Sequence, residues 1–214
     1  MNKYQKGFTL VEIAIVLVII GLLLGGVLKG QELINSAKVK NLANDFRSIP
    51  VFIYGYQDKF KRLPGDDPNA DTRFTGGKKA SVTGQTPGNG VIEGSWNSTD
   101  VGSENVLFWQ HVRLAGLAPG STDFTSSTTA SLPSNAEGGA IGIQMSTPIK
   151  GLSGTYYICS SGISSKLAQQ LDTTLDDGAG DKGTLRAQSS TSTDAAKDGE
   201  TYADGKSYIV CLAI

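Results

Sequence analysis

The sequence predicts an α+β fold: a long N-terminal α-helix, transmembrane in its first part, packed against a small antiparallel β-sheet head. Three observations predict it. The 21 residues from Phe8 to Leu28 carry one charge, Glu12. An apolar stripe at helical spacing then continues to Phe60. The rest of the 214-residue chain is rich in Gly, Ser, Thr and Asp, broken by short β-rich runs near the C-terminus. The mean hydropathy of −0.12 and net charge of −1 describe a bland soluble protein because they average these unlike regions.

The first element is the apolar run. As a helix, twenty-one residues reach about 30 Å, the hydrocarbon thickness of a bilayer. Lys3 and Lys6 precede it and favour a cytoplasmic N-terminus. A cleaved secretory signal fits poorly, since its apolar core runs to about 7–15 residues and ends at a small-residue site. Here the run is followed by Lys29-Gly30-Gln31-Glu32-Leu33. A plain membrane anchor leaves Glu12 unexplained, because a carboxylate inside the membrane costs a few kcal/mol and usually has a partner and a role.

The second element continues the first. Val39, Leu42, Phe46, Ile49, Ile53, Tyr56 and Phe60 recur at spacings of three and four. That pattern predicts one helix from about Phe8 to Phe60, its later half lying against the head. Lys38, Lys40, Asn44, Arg47 and Lys61 occupy the other face. Gly21, Gly25, Gly26 and Gly30 weaken the helix by up to about 1 kcal/mol each, and Pro50 is expected to kink it.

The motif Lys6-Gly7-Phe8-Thr9-Leu10-Val11-Glu12 resembles the processing site of type IV pilins and type II secretion pseudopilins. The specific resemblance covers about residues 6–34; beyond that it is one of layout. It implies a pilin-like fold and four regions: a prepilin leader peptide at 1–7, a transmembrane and filament-core helix at 8–28, its amphipathic continuation at 29–62, and a globular periplasmic or extracellular head at 63–214. It implies cleavage between Gly7 and Phe8 by prepilin peptidase and methylation of the new Phe8 amine. Glu12 would then pair with the Phe8 amine of a neighbouring subunit and set axial register, since either charge buried alone is expensive. The implied partners are other pilin or pseudopilin subunits and an inner-membrane assembly platform. The implied location is the inner membrane, single-pass, with the head in the periplasm and later in a filament.

In the head, Leu63-Pro64-Gly65-Asp66-Asp67-Pro68 ends the helix in a turn. Residues 75–102 and 121–137 read as surface loops. Between them Ser103 caps a helix from Glu104 to about Leu117, with Val106, Leu107, Gln110, Leu114 and Leu117 on its buried side. Strands are expected at 140–146, 155–160 and 207–213, a helix at 164–175, and a polar loop at 187–201. Cys159 and Cys211 fall on two of the strands. In an envelope protein two cysteines form one disulfide most simply, with two separate buried thiols as the alternative.

Little in the head marks chemistry. Net charge is +4 over residues 29–62, −4 over 63–149 and −2 over 150–214, which excludes a general nucleic-acid binder. His111 is the only histidine and belongs to no catalytic set, so no enzymatic activity and no cofactor are expected. Two acidic loops are weak calcium candidates: Asp66, Asp67, Asn69 and Asp71, and then Asp172, Asp176, Asp177 and Asp181, which flank Gly178. Turn and capping chemistry explains both loops as readily. Asn97-Ser98-Thr99 matches a glycosylation sequon. The functional expectation is a structural filament subunit, with a filament-tip binding or adhesion module or a membrane-anchored envelope enzyme as alternatives. Sequence does not separate pilus from type II secretion.

Overall fold

A computed structural model describes residues 9–126, 132–189 and 193–214. It contains a long N-terminal helix followed by a four-stranded antiparallel sheet, the α+β, pilin-like layout expected. Helix α1 spans Leu10–Phe60 and runs through Pro50 and Gly55. The chain divides into two compact units, Met1–Lys38 and Val39–Ile214. The second unit therefore begins inside α1 and takes in its amphipathic half.

The first unit is helix alone from Leu10 onward. Its apolar side chains are exposed: Leu10 is 90 % exposed and Leu22 73 %. This stretch is long and apolar enough to cross a membrane.

The second unit holds residues 39–60 of α1, then α2 (Ala70–Arg73), α3 (Glu104–Leu114), β1 (Ile141–Gln144), β2 (Tyr157–Ser164), α4 (Ser165–Leu175), β3 (Leu185–Gln188) and β4 (Ser207–Ala213). The sheet order is β1-β2-β4-β3, all antiparallel. The register pairs Tyr157 with Ala213 and Cys159 with Cys211, then slips between Ser160 and Ile163. Gly162, at φ 71°, makes that bulge, a backbone region in which a Cβ is strained.

The stripe read from the sequence is the one that buries. Val39, Leu42, Phe46, Ile49, Ile53 and Tyr56 are all in the interior. All of these but Tyr56 join α3, α4 and one face of the sheet in the main core, through Phe108, Val112, Ile158, Leu171 and Val210. Each such side chain contributes about 1.5–3 kcal/mol of burial. The other sheet face carries a smaller cluster of Trp96, Ile149, Leu152, Tyr157, Ile209 and the two cysteines.

Five expectations change. Helix α3 ends at Leu114 rather than near Leu117, and it is buried on all sides from Glu104 to Arg113 rather than along one stripe. Its cap residue Ser103 has extended backbone but makes no side-chain cap; its hydroxyl bonds Asn105 instead. The loop at 75–102 is irregular yet anchored, with Ile92 and Trp96 in the interior. The polar loop expected at 187–201 begins inside a strand, because β4 offers β3 an open edge to pair with. Strand β2 runs on to Ser164, and β4 has the bounds expected.

Candidate functional site

The N-terminal site is built on the first turn of α1. Thr9 Oγ1 accepts the Glu12 backbone N–H at 3.2 Å. The Glu12 carboxylate reaches back and accepts both the Thr9 backbone N–H and the Thr9 hydroxyl, each at 2.8 Å. This is a reciprocal capping box, which satisfies two donors that a helix start otherwise leaves open. The signal was present in the sequence as Thr-x-x-Glu ahead of an apolar run, and the reading of Glu12 as a partner for a neighbouring amine passed over it. Gly7 and Phe8 lie outside the described residues. Along the same helix, a Cβ added at Gly21, Gly25, Gly26 or Gly30 would meet nothing within 4 Å. Among the described residues, nothing packed against these positions requires a glycine.

In the head, carboxylates of both acidic loops are hydrogen-bonded within the chain. Asp66 is buried and accepts three consecutive backbone N–H groups, from Gly88, Asn89 (3.1 Å) and Gly90 (2.7 Å). Burial raises its pKa, partly offset by those donors. Asp67 is fully buried and accepts from Tyr56 Oη at 2.8 Å, the Asn69 N–H at 3.0 Å and Arg73 Nε at 3.1 Å. It thereby ties the end of α1 to α2. Asp71 pairs with Lys79, which holds its carboxyl below the usual range. These carboxylates are all engaged by donors of the protein itself.

The second loop brings together Asp172, Asp176 and Asp177, with one oxygen of each lying within 4.8 Å of the others; Asp181 stands outside that group. Asp172 is buried and uses both oxygens, accepting from the Gly178 N–H at 2.9 Å and Tyr202 Oη at 2.6 Å. Asp176 accepts from the Thr184 and Leu185 N–H groups, and Asp177 from that of Ala179. Burial raises the pKa of Asp172, and its acidic neighbours add to the rise. The loop is shaped by capping, with Gly178 at φ 82°.

His111 is fully buried. Its Nδ1 accepts the Gly65 N–H at 2.8 Å, so Nε2 carries the proton and donates to the Lys78 carbonyl at 2.7 Å. Burial depresses its pKa. Gly65 is required there, since a Cβ would stand 2.4 Å from the Glu104 carbonyl oxygen. Glu104 is also fully buried. One of its oxygens accepts the Glu93 N–H at 2.8 Å and the other has no partner. Burial, with Asp66 and Glu93 close by, pushes its pKa up to about 7. A packing or surface role for His111 agrees with its pattern in the sequence, a lone helical histidine beside Trp109, whereas the burial of Glu104 was not foreseen.

Cys159 and Cys211 form a disulfide between directly paired positions of β2 and β4, with Cα atoms 4.1 Å apart. It closes a segment containing α4 and β3. The alternative of two separate thiols is thereby removed.

Residues 2–28 match a family model described as the prokaryotic N-terminal methylation motif, the hallmark of type IV pilin and pseudopilin prepilin leaders. The match covers the expected leader, the expected cleavage point and the apolar run with Thr9 and Glu12. No curated protein and no solved structure matches the chain.

Proposed function

We propose that the chain is the precursor of a structural subunit of a type IV pilus-like filament, either a pilin or a type II secretion pseudopilin. The observation that carries this is the methylation motif at residues 2–28 on an apolar helix whose first turn holds Glu12. In this reading prepilin peptidase cuts between Gly7 and Phe8 and methylates the Phe8 amine. The helix stays in the inner membrane with the head in the periplasm, until an assembly platform moves the subunit into a filament of like subunits. A cleaved leader leaves a positive amine next to an apolar run. Glu12 supplies the compensating charge at a similar depth, from one subunit to the next.

The head works by shape and contact rather than by catalysis. His111 is enclosed and committed at both nitrogens, and the carboxylates of Asp66 and Asp172 accept backbone amides of turns. The reading is tested by producing wild-type and Glu12→Leu chains alongside the processing and assembly machinery. Both are expected in the membrane fraction, with only the wild type in sheared filaments. Equal filament incorporation of the variant overturns the assembly role of Glu12.

A further inference from the structure

Asp45, on α1, lines a pocket of about 210 Å³ together with Ile49, Phe52, Trp109, Arg113 and Ile141. That is several times the roughly 30 Å³ share of one water molecule. The Asp45 carboxylate is half-buried, and among the described residues nothing hydrogen-bonds or ion-pairs with it. Arg113 does not serve it, since its guanidinium donates to the Pro119 and Ser121 carbonyls. A partly desolvated carboxylate without a partner, set beside Trp109 and Phe52, suits a planar cation that can both bond the carboxylate and stack on the rings.

The same helix carries such a cation. Arg47 is exposed and makes no ion pair among the described residues. At about 100° per residue it points nearly opposite to Asp45, so the two do not meet within one copy. Arg47 leads a ridge with Val51 (64 % exposed) and Tyr54 (61 % exposed), at helical spacings of four and three. One face of this helix thus offers a guanidinium with uncovered apolar side chains, and the other an unpaired carboxylate in an aromatic pocket.

We propose that the Arg47–Val51–Tyr54 ridge of one copy docks on the next copy, with Arg47 entering the Asp45 pocket. The two surfaces are different and lie on opposite sides of one helix. The contact is therefore heterologous and leaves a free ridge and a free pocket at its ends, which propagates rather than closing as a dimer. The proposal rests on the filament reading and specifies a head-level contact within it.

The test uses full-length chains with the assembly machinery. Asp45→Cys and Arg47→Cys are introduced singly and together, and oxidised membranes and filaments are run on non-reducing gels. Cys159 and Cys211 are enclosed and already joined. The double variant is expected to give a ladder of multimers, and each single variant none. Absence of the ladder overturns the contact, as do dimers from either single variant. In parallel, Asp45→Arg and Arg47→Asp are each expected to lower the assembled fraction about tenfold or more. The double charge exchange should restore most of it; unaltered single variants, or a double variant no better than they are, count against the pairing. Wild-type filaments without a ladder sink the contact and leave the filament reading standing. A ladder without wild-type filaments does the reverse.

Discussion

Thr9 and Glu12 cap the first turn of α1 reciprocally, with the Glu12 carboxylate taking two hydrogen bonds from Thr9. The charge that the filament reading assigns to a neighbouring subunit is thus already hydrogen-bonded in the single chain. This lowers the cost of holding a carboxylate at the edge of an apolar helix before assembly. In the filament reading Glu12 has two successive partners, the first local and the second between subunits.

Thr9→Val removes the cap while keeping size and β-branching. Loss of such a cap costs about 1 kcal/mol of helix stability. Amide exchange in detergent micelles should speed up over residues 10–13 and stay unchanged past Gly30. Unchanged exchange at the first turn would show that the cap does not hold the helix start.

The four glycines of the first unit touch nothing that excludes a methyl group. Replacing Gly21, Gly25, Gly26 and Gly30 by Ala should raise helix stability by up to about 1 kcal/mol each. We expect this segment to extend when subunits pack, so the fully substituted chain should insert normally and assemble less. Undiminished filament yield would show that the segment stays helical.

Glu104 gives the head a pH dependence of defined sign. Its folded pKa of about 7 lies above its ordinary 4.5. Its stabilising share is therefore complete below about pH 4.5 and is lost as pH rises through 7. His111 acts oppositely: its depressed pKa means stability present above about 6.5 and lost on acidification. Glu104→Gln keeps the acceptor for the Glu93 N–H and removes the charge. Its melting temperature relative to wild type should rise between pH 5 and pH 8, by the equivalent of about 3 kcal/mol at most. A difference that stays flat over that range would contradict the assignment.

The disulfide and the Asp172 loop separate in one melting experiment. Cys159→Ser with Cys211→Ser should destabilise the head by about 4 kcal/mol, the loop-closure value for a segment of this length. Calcium or a chelator should leave wild-type melting unchanged, because Asp172 spends both oxygens on protein donors. A rise in melting temperature with calcium would instead place an ion at Asp176 and Asp177.

The parts of the fold legible in sequence are those set by local periodicity. The stripe from Val39 to Tyr56 buried as its spacing implied, and β4 took the bounds of its apolar run. What escaped depends on distant partners. Strand β3, Leu-Arg-Ala-Gln, carries too little apolar character to announce itself and forms because β4 offers an open edge. Trp96 lies in a Gly/Ser-rich stretch, and its burial follows from bonds to Gln144 and Thr193 far along the chain. Asp66 and Asp67 read as a polar turn, whereas Tyr56, Arg73 and the amides of residues 88–90 enclose them. At the N-terminal site the motif was legible and the capping bond, although written in the same four residues, was overlooked.

The central claim is that this chain is matured at its N-terminus and retains its apolar helix. Intact-mass and N-terminal fragment analysis of the membrane-bound protein, made with and without prepilin peptidase, tests it directly. The account predicts a chain beginning at Phe8 with one methyl group on its amine when the peptidase is present, and the uncut chain beginning at Met1 when it is absent. A chain that keeps Met1 in the presence of the peptidase, or one cut beyond Leu28, would contradict it.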